Sequence, residues 1–154
     1  MNMLRIELKD SLKDAMKSRD KRKLSTLRLI LATLHDRDIA IREKGGEEGI
    51  SDDEILQMLT TMVRQRRDSI AAYEDGGRID LATSEQEEID IIAKYLPKQF
   101  DDKEMTSAIS ETIGEIGAEG LKDMGKTMGA LKSKYAGRMD FAKASALVKS
   151  ALGA

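Results

Sequence analysis

Apolar residues recur at every third or fourth position along most of the sequence, and this spacing constrains the fold more than any other feature. It places the apolar side chains on one face of an α-helix, whereas a half-buried β-strand would alternate at every second position. Seven stretches carry the helical pattern; the first contains Leu4, Leu8 and Leu12, and the last contains Ala144 and Val148. We find no alternating run with a hairpin turn. The sequence therefore predicts an all-α fold.

Capping residues mark where several of these helices begin. Ser51 followed by Glu54, and Asp101 followed by Glu104, have the spacing of a capping box. In this arrangement a side chain accepts a hydrogen bond from a free amide of the first turn, and the acidic residue reaches back to the capping residue. We expect a helix to start at each pair. The last two helices are expected to be capped by the single residues Asp123 and Asp140.

Pro97 is the only proline in the sequence and marks the expected domain boundary. Proline disfavours helical backbone in the residue before it, so the fourth helix should end there. Beyond Pro97 the helical stretches shorten and glycine becomes frequent. The sequence thus predicts an N-terminal four-helix domain over residues 1–97 and a small C-terminal three-helix domain over residues 98–154.

The sequence of 154 residues contains no cysteine and a single histidine, His35. These counts exclude a disulfide framework, a thiol nucleophile and a metal site that needs several histidines. A carboxylate run in the fourth helix could bind a divalent cation, but such a run is usually a solvated face. We therefore predict no catalytic residue, no metal site and no cofactor. The run consists of Glu85, Glu87, Glu88 and Asp90.

The sequence offers little that would direct the chain to a membrane. No segment is long and apolar enough to span a bilayer. Met1 to Lys9 mixes charges from the start and lacks the apolar run of a signal peptide. We therefore expect a cytoplasmic protein without a membrane partner.

Residues 120–127 match the phosphate-loop pattern G-x-x-x-x-G-K-[ST] at every fixed position. That motif works where a β-strand delivers the loop to a helix and backbone amides surround the phosphates. Here the preceding stretch, residues 105–116, has helical spacing. We therefore interpret the segment as a glycine helix stop followed by a short helix, in which Gly125 and Gly129 allow close packing. Nucleotide binding is not expected.

Arg66 lies between Val63 and Ile70 on the apolar face of the third helix. A guanidinium removed from water needs a carboxylate partner, and Glu85 and Glu88 hold comparable positions in the fourth helix. One interpretation is an ion pair from Arg66 to Glu85, Glu88 or both, which would join the two helices. The alternative is that these charges lie at the edge of the apolar face and point into water.

The C-terminal residues are basic, although the whole chain has a net charge of −2. Residues 119–154 contain seven basic and three acidic side chains. These cations could follow a nucleic-acid phosphate backbone, or they could form an ordinary solvated surface. The candidate nucleic-acid-binding residues are Lys122, Lys126, Lys132, Lys134, Arg138 and Lys143.

Three runs of sequence together resemble the YqeY-like proteins, members of the GatB/YqeY group. The first reads RQRRDSIAAY from Arg64 and continues as GRIDLA from Gly77. The second joins Glu85 and Glu88 to YLPKQ at residues 95–99, and the third reads DMGKTMG at residues 123–129. The resemblance covers essentially the whole chain in order.

This resemblance implies an all-helical fold whose C-terminal part is similar to the tail of the B subunit of the tRNA-dependent amidotransferase. In that enzyme the tail contacts the tRNA elbow and performs no chemistry. Only the run from Gly125 to Gly129 and its surroundings carry over to the tail. The catalytic parts of the amidotransferase have no counterpart in this sequence.

Three functions remain open on this basis. The first is a non-catalytic tRNA-binding accessory module related to the tRNA-dependent amidotransferase system. The second is a component that has carbon–nitrogen ligase activity, with glutamine as amido-nitrogen donor, only within a complex. The third is an adaptor without RNA whose N-terminal helices bind a protein partner.

Overall fold

The computed structural model describes residues 3–46 and 48–153, and all regular structure in these ranges is helical. The described ranges contain no β-strand, so the all-α prediction is confirmed. A 3₁₀ turn, Leu121–Asp123, precedes the sixth α-helix. The helices are α1 (Met3–Ser18), α2 (Lys21–Glu43), α3 (Asp52–Asp75), α4 (Ile79–Ala93), α5 (Asp102–Ile116), α6 (Met124–Lys134) and α7 (Phe141–Gly153).

The chain divides into two compact units, with the boundary between Leu96 and Pro97. Helices α1 to α4 lie in the first unit and α5 to α7 in the second. Each unit has its own apolar core, formed by the inward stripes of its helices. Fully buried side chains of the first core include Leu8, Leu27, Ile55, Met58 and Ile92; those of the second include Leu131 and Val148.

Both predicted capping boxes are present. The Glu54 amide donates to Ser51 Oγ at 3.2 Å, and the Ser51 amide donates to Glu54 Oε1 at 3.3 Å. In α5 the Glu104 amide donates to Asp101 Oδ1 at 2.7 Å, with the reciprocal bond at 3.3 Å. These local bonds fix the starts of α3 and α5 because they satisfy amides that the first turn leaves free.

Two predictions of where helices end or begin are wrong in detail: the end of α4 and the cap at the start of α6. Helix α4 ends at Ala93, not next to Pro97, because the chain tightens there: the Leu96 amide donates to the Ala93 carbonyl at 3.1 Å. Asp123 does not cap α6 with its side chain. The 3₁₀ turn directs its carboxylate backward, where it accepts a hydrogen bond from the Glu119 amide at 2.9 Å.

The first two helices form an antiparallel hairpin, since only Arg19 and Asp20 separate them. Asp20 caps α2 by accepting a hydrogen bond from the Lys23 amide at 3.1 Å. Arg19 has a φ of 58°, a left-handed conformation that permits the reversal of chain direction in two residues. The hairpin sets the register of the side chains that α1 and α2 present to each other.

Candidate nucleic-acid interface

Helix α6 carries most of the sequence run DMGKTMG, residues 123–129. Thr127 and Leu131 are buried in the core of the second unit. At a helical period of 3.6 residues, the opposite side of α6 presents Gly125, Gly129 and Lys132, all of which are exposed. The run DMGKTMG therefore contributes apolar residues to the core and glycines to the surface.

The two surface glycines of α6 are not explained by packing. A Cβ atom added to Gly125 or Gly129 would have no neighbouring atom within 4 Å. The interpretation that they allow close packing inside the domain is therefore wrong. Glycine within a helix is less favourable than alanine by about 0.8–1.0 kcal/mol. The glycines leave exposed helical backbone without a side-chain cover.

Two of the predicted basic residues lie beside this glycine surface. Lys132 is exposed and forms no ion pair or hydrogen bond through its side chain within the described part of the chain. Lys126 has one long contact, from Nζ to the Ile116 carbonyl oxygen at 3.4 Å. Gly125, Gly129, Lys126 and Lys132 together are called the α6 surface below. Its two cations are available to an anionic ligand.

Lys134 and Lys122 are paired with glutamates of the same unit. Lys134 Nζ lies 2.9 Å from Glu115 Oε2, and this carboxylate raises the pKa of Lys134 above its ordinary value. Lys122 Nζ lies 4.0 Å from Glu119 Oε2, at the limit of an ion pair. The charges of these lysines are partly compensated, which weakens their attraction for phosphate.

Lys143 and Arg138 also have partners inside the second unit. Lys143 forms an ion pair with Asp102 at the start of α5. The Arg138 guanidinium stacks on the Phe100 ring at 4.2 Å and donates to the Lys98 carbonyl oxygen at 3.2 Å. Arg138 thereby stabilises the segment that leads into α5. The six candidate residues therefore do not form one continuous, uncompensated patch.

Arg66 is buried in the first unit and faces α4. It is 8% exposed, and its Nε donates to Glu88 Oε2 at 3.1 Å while Nη1 donates to the Met62 carbonyl oxygen at 3.1 Å. Within the described residues Arg66 forms no ion pair with Glu85. Arg22 of α2 lies 3.9 Å from the other oxygen of Glu88. The carboxylate of Glu88 thus connects three helices.

The other polar candidates in this unit show no arrangement for metal chemistry. His35 is exposed on α2, and Glu87 pairs with Arg22 at 3.2 Å. Across residues 3–46 and 48–153, no three histidine, aspartate or glutamate side chains come together as a metal site. In the same ranges no helix has the length and apolarity needed to cross a bilayer.

Sequence reasoning missed a second buried ion pair, between Arg5 of α1 and Asp38 of α2. Both terminal guanidinium nitrogens of Arg5, Nη1 and Nη2, contact the Asp38 carboxylate, and Nη2 also donates to the Ile50 carbonyl oxygen at 2.8 Å. The Ile50 amide donates to Asp38 Oδ1 at 2.9 Å. The sequence contains a signal for this pair, because Asp38 interrupts the apolar stripe between Leu34 and Ile41.

The loop before Ile50 depends on this carboxylate. Gly49 has a φ of 83°, and its α-carbon approaches Asp38 so closely that an added Cβ would clash with the carboxylate. Glycine is therefore required at this position by both conformation and space. Arg5, Asp38 and Gly49 together attach the end of the loop to the α1–α2 hairpin.

Proteins from three other organisms are similar to this chain. The Candida glabrata protein named altered inheritance of mitochondria protein 41, mitochondrial, is 31% identical over 135 residues, 87% of this chain and 69% of the relative. A protein of the same name from Saccharomyces cerevisiae is 35% identical over 89 residues, 58% of this chain and 46% of the relative. The Eremothecium gossypii protein is 36% identical with the same coverage. The chain thus spans about half the length of the last two relatives.

These names overturn the expectation of a cytoplasmic protein. All three relatives are named as mitochondrial proteins. The expectation depended on the absence of an apolar N-terminal run. Such a run is the mark of a secretory signal. Mitochondrial targeting segments are amphipathic and rich in arginine, so a missing apolar run carries no information about that compartment.

The family assignment follows from a match over nearly the whole sequence. The sequence profile of the family described as Yqey-like protein matches residues 5–152. This range contains all three runs that suggested the resemblance, including the α6 surface and the Arg66–Glu88 pair. The chain therefore belongs to the YqeY-like protein family.

Proposed function

We propose that this protein is a non-catalytic RNA-binding accessory module, whose C-terminal unit binds tRNA through the α6 surface. The observation that carries the proposal is the pair of exposed glycines, Gly125 and Gly129, beside the cations Lys126 and Lys132. Exposed glycines on a helix leave room for a sugar–phosphate backbone to approach the helix closely. The lysines supply positive charge at the same place.

The chemistry of this surface favours recognition of shape and charge over base sequence. Lysines act as point charges toward phosphate oxygens, and contacts to the backbone position a protein without specifying bases. Double-helical RNA is read mainly through its backbone and 2′-hydroxyl groups, so a basic surface without deep pockets for bases suits it. The resemblance to the amidotransferase tail supports the tRNA elbow as the region bound. A role next to a glutamine-dependent amidotransferase forms part of this proposal.

The decisive experiment compares two alanine substitutions in the full-length chain. Gly129→Ala and Gly114→Ala both fill open space on an exposed helix surface of the second unit, so both should stabilise their helices. Only Gly129 lies on the α6 surface. We expect Gly129→Ala to weaken binding of bulk tRNA roughly tenfold and Gly114→Ala to leave it unchanged.

Salt dependence provides the second part of this test. The logarithm of the binding constant should fall linearly with the logarithm of the salt concentration. Lys132→Gln should reduce the magnitude of that slope by about one. Lys149→Gln is the charge-matched control, because Lys149 is an exposed lysine on α7. Absence of tRNA binding at low salt, or equal effects of Gly129→Ala and Gly114→Ala, would overturn the proposal.

A protein partner for the N-terminal unit is the second candidate. Met3 and Ile6 of α1 are 68% and 58% exposed, and their spacing places them on one side of the helix. An apolar pair of this kind fits a protein contact better than it fits RNA. The test is a pull-down from ribonuclease-treated mitochondrial extract with wild-type and Ile6→Ser protein. A partner lost specifically in the variant would favour this function.

We also propose that the two units are independent domains, residues 1–97 and 98–154. The separate cores support this division, because Leu131 and Val148 are buried within the second unit's own cluster. Residues 98–154 produced alone should give a cooperative thermal transition. A non-cooperative transition of that fragment would contradict the proposal.

A further inference from the structure

A groove of about 560 Å³ lies between α1 and α2 in the first unit. Pockets that bind small molecules usually have volumes of about 300–1,000 Å³. Its walls combine leucines with charged side chains from both helices. All its lining residues except Glu48 of the following loop belong to the hairpin, so its geometry depends on the register of α1 against α2.

The Arg5–Asp38 contact fixes that register. Because the helices are antiparallel, each step along α1 corresponds to a step backward along α2. Lys9, one turn after Arg5, therefore lies at the level of His35, and Leu12 lies at the level of Leu31. The groove thus changes from charged to apolar along its length.

The charged part of the groove has unused donors. Asp38 is occupied by Arg5 and the Ile50 amide. By contrast, the side chains of Lys9, His35 and Arg42 form no ion pair or hydrogen bond with any described residue, although all three line the groove. An imidazole can donate a hydrogen bond in either protonation state. Glu48 is the one lining carboxylate besides Asp38 among the described residues, so cations exceed anions here.

We propose that this groove binds a small amphipathic anion. An oxyanion head, either a carboxylate or a phosphate monoester, contacts Lys9 and His35, and a short apolar body covers Leu12 and Leu31. The proposal follows from charge complementarity at one level of the hairpin and apolar surface at the next. A neutral apolar molecule would leave the cations without a partner, and a simple anion would leave the leucines uncovered.

A set of four probes separates these contributions in the full-length protein. Octanoate and octyl phosphate share an apolar body and differ in the head, 1-octanol has the body alone, and acetate has a carboxylate head alone. Binding is followed by amide chemical shifts of the groove residues. We expect saturable shifts with octanoate, octyl phosphate or both, and at least roughly fivefold weaker binding of octanol and acetate. The stronger of the two octyl anions identifies the head.

Two substitutions on α1 locate the site. Lys9→Gln removes a lining cation, whereas Lys13→Gln removes an exposed lysine of the same helix that does not line the groove. Lys9→Gln should weaken binding of the preferred anion roughly fivefold or more, and Lys13→Gln should not change it. Equal behaviour of the two variants, equal binding of octanol, or shifts outside the groove would overturn the proposal.

Discussion

The Arg66 guanidinium on α3 donates to the Glu88 carboxylate on α4 at 3.1 Å, at a position where Arg66 is 8% exposed. Among the described residues, removal of the carboxylate would leave a buried positive charge with the Met62 carbonyl as its one remaining acceptor. A buried charge without its partner destabilises a fold far more than the intact pair stabilises it. The pair therefore specifies how α3 and α4 pack together.

Loss of Glu88 should be clearly more harmful than loss of Glu85. We expect Glu88→Gln to lower the free energy of unfolding by about 2 kcal/mol, because Arg66 then lacks its carboxylate partner. The loss should not be larger, because the pair is partly open to solvent on the glutamate side. Glu85→Gln, on the same helix and without an ion pair to Arg66, should change it by less than about 0.5 kcal/mol. Urea unfolding measures both. Equal losses would show that Arg66 does not depend on Glu88.

Gly49 should tolerate alanine much less well than Gly77. Both have positive φ, 83° and 71°, so both variants carry backbone strain of about 1 kcal/mol. Only at Gly49 does the new Cβ meet the Asp38 carboxylate; at Gly77 the space is open. We expect Gly49→Ala to lose about 2 kcal/mol more than Gly77→Ala in thermal or urea unfolding. A difference below the measurement error would contradict the packing argument.

Asp80 should titrate below its ordinary range. The Arg78 guanidinium donates to both carboxylate oxygens of Asp80, which holds the pKa of Asp80 below 3.8 and raises that of Arg78. A carboxylate with a lowered pKa stabilises the fold above its unfolded pKa, and this contribution is lost as pH falls through the folded value. Carboxyl-carbon NMR should show the pKa rising toward 3.8 in Arg78→Gln. An unchanged value would exclude Arg78 as the cause.

Glu115 should limit RNA binding by the second unit. Its carboxylate compensates Lys134, so removal of its charge should make an additional cation available. We expect Glu115→Gln to tighten tRNA binding about threefold and to steepen its salt dependence. Glu111→Gln, one turn earlier on α5 and also exposed, removes a carboxylate with a weaker effect on Lys134 and controls for the general change in net charge. Equal effects of the two variants would indicate long-range electrostatics and not release of Lys134.

Features that depend on nearby residues could be predicted from the sequence. The capping boxes at Ser51 and Asp101 need only residues three positions apart, and both are present. Arg66 was identifiable because it interrupts an apolar stripe. The single cap assigned to Asp123 was wrong, since a 3₁₀ turn and a helix start have the same local composition, and only the backbone path separates them.

Features that depend on distant pairs were predicted less completely: Glu88 was among the expected partners of Arg66, whereas the pair of Arg5 with Asp38 was missed. Asp38 interrupts a stripe as Arg66 does, but its partner Arg5 lies 33 residues earlier and on another helix. The basic surface was overestimated for the same reason. A count of basic residues treats Lys134 and Lys143 as free cations. In the structure, α5 places the carboxylate of Glu115 beside Lys134 and that of Asp102 beside Lys143.

The attachment of Gly49 and Ile50 to Asp38 divides the preceding loop into two parts with different tolerance for change in length. The Gly46 amide donates to the Ile41 carbonyl oxygen at 2.9 Å at the end of α2, and an insertion after Gly46 leaves this bond in place. An insertion between Gly49 and Ile50 would instead separate the two residues that Asp38 holds together. A peptide tag or fluorescent label placed after Gly46 would therefore report on the α1–α2 hairpin without dismantling it.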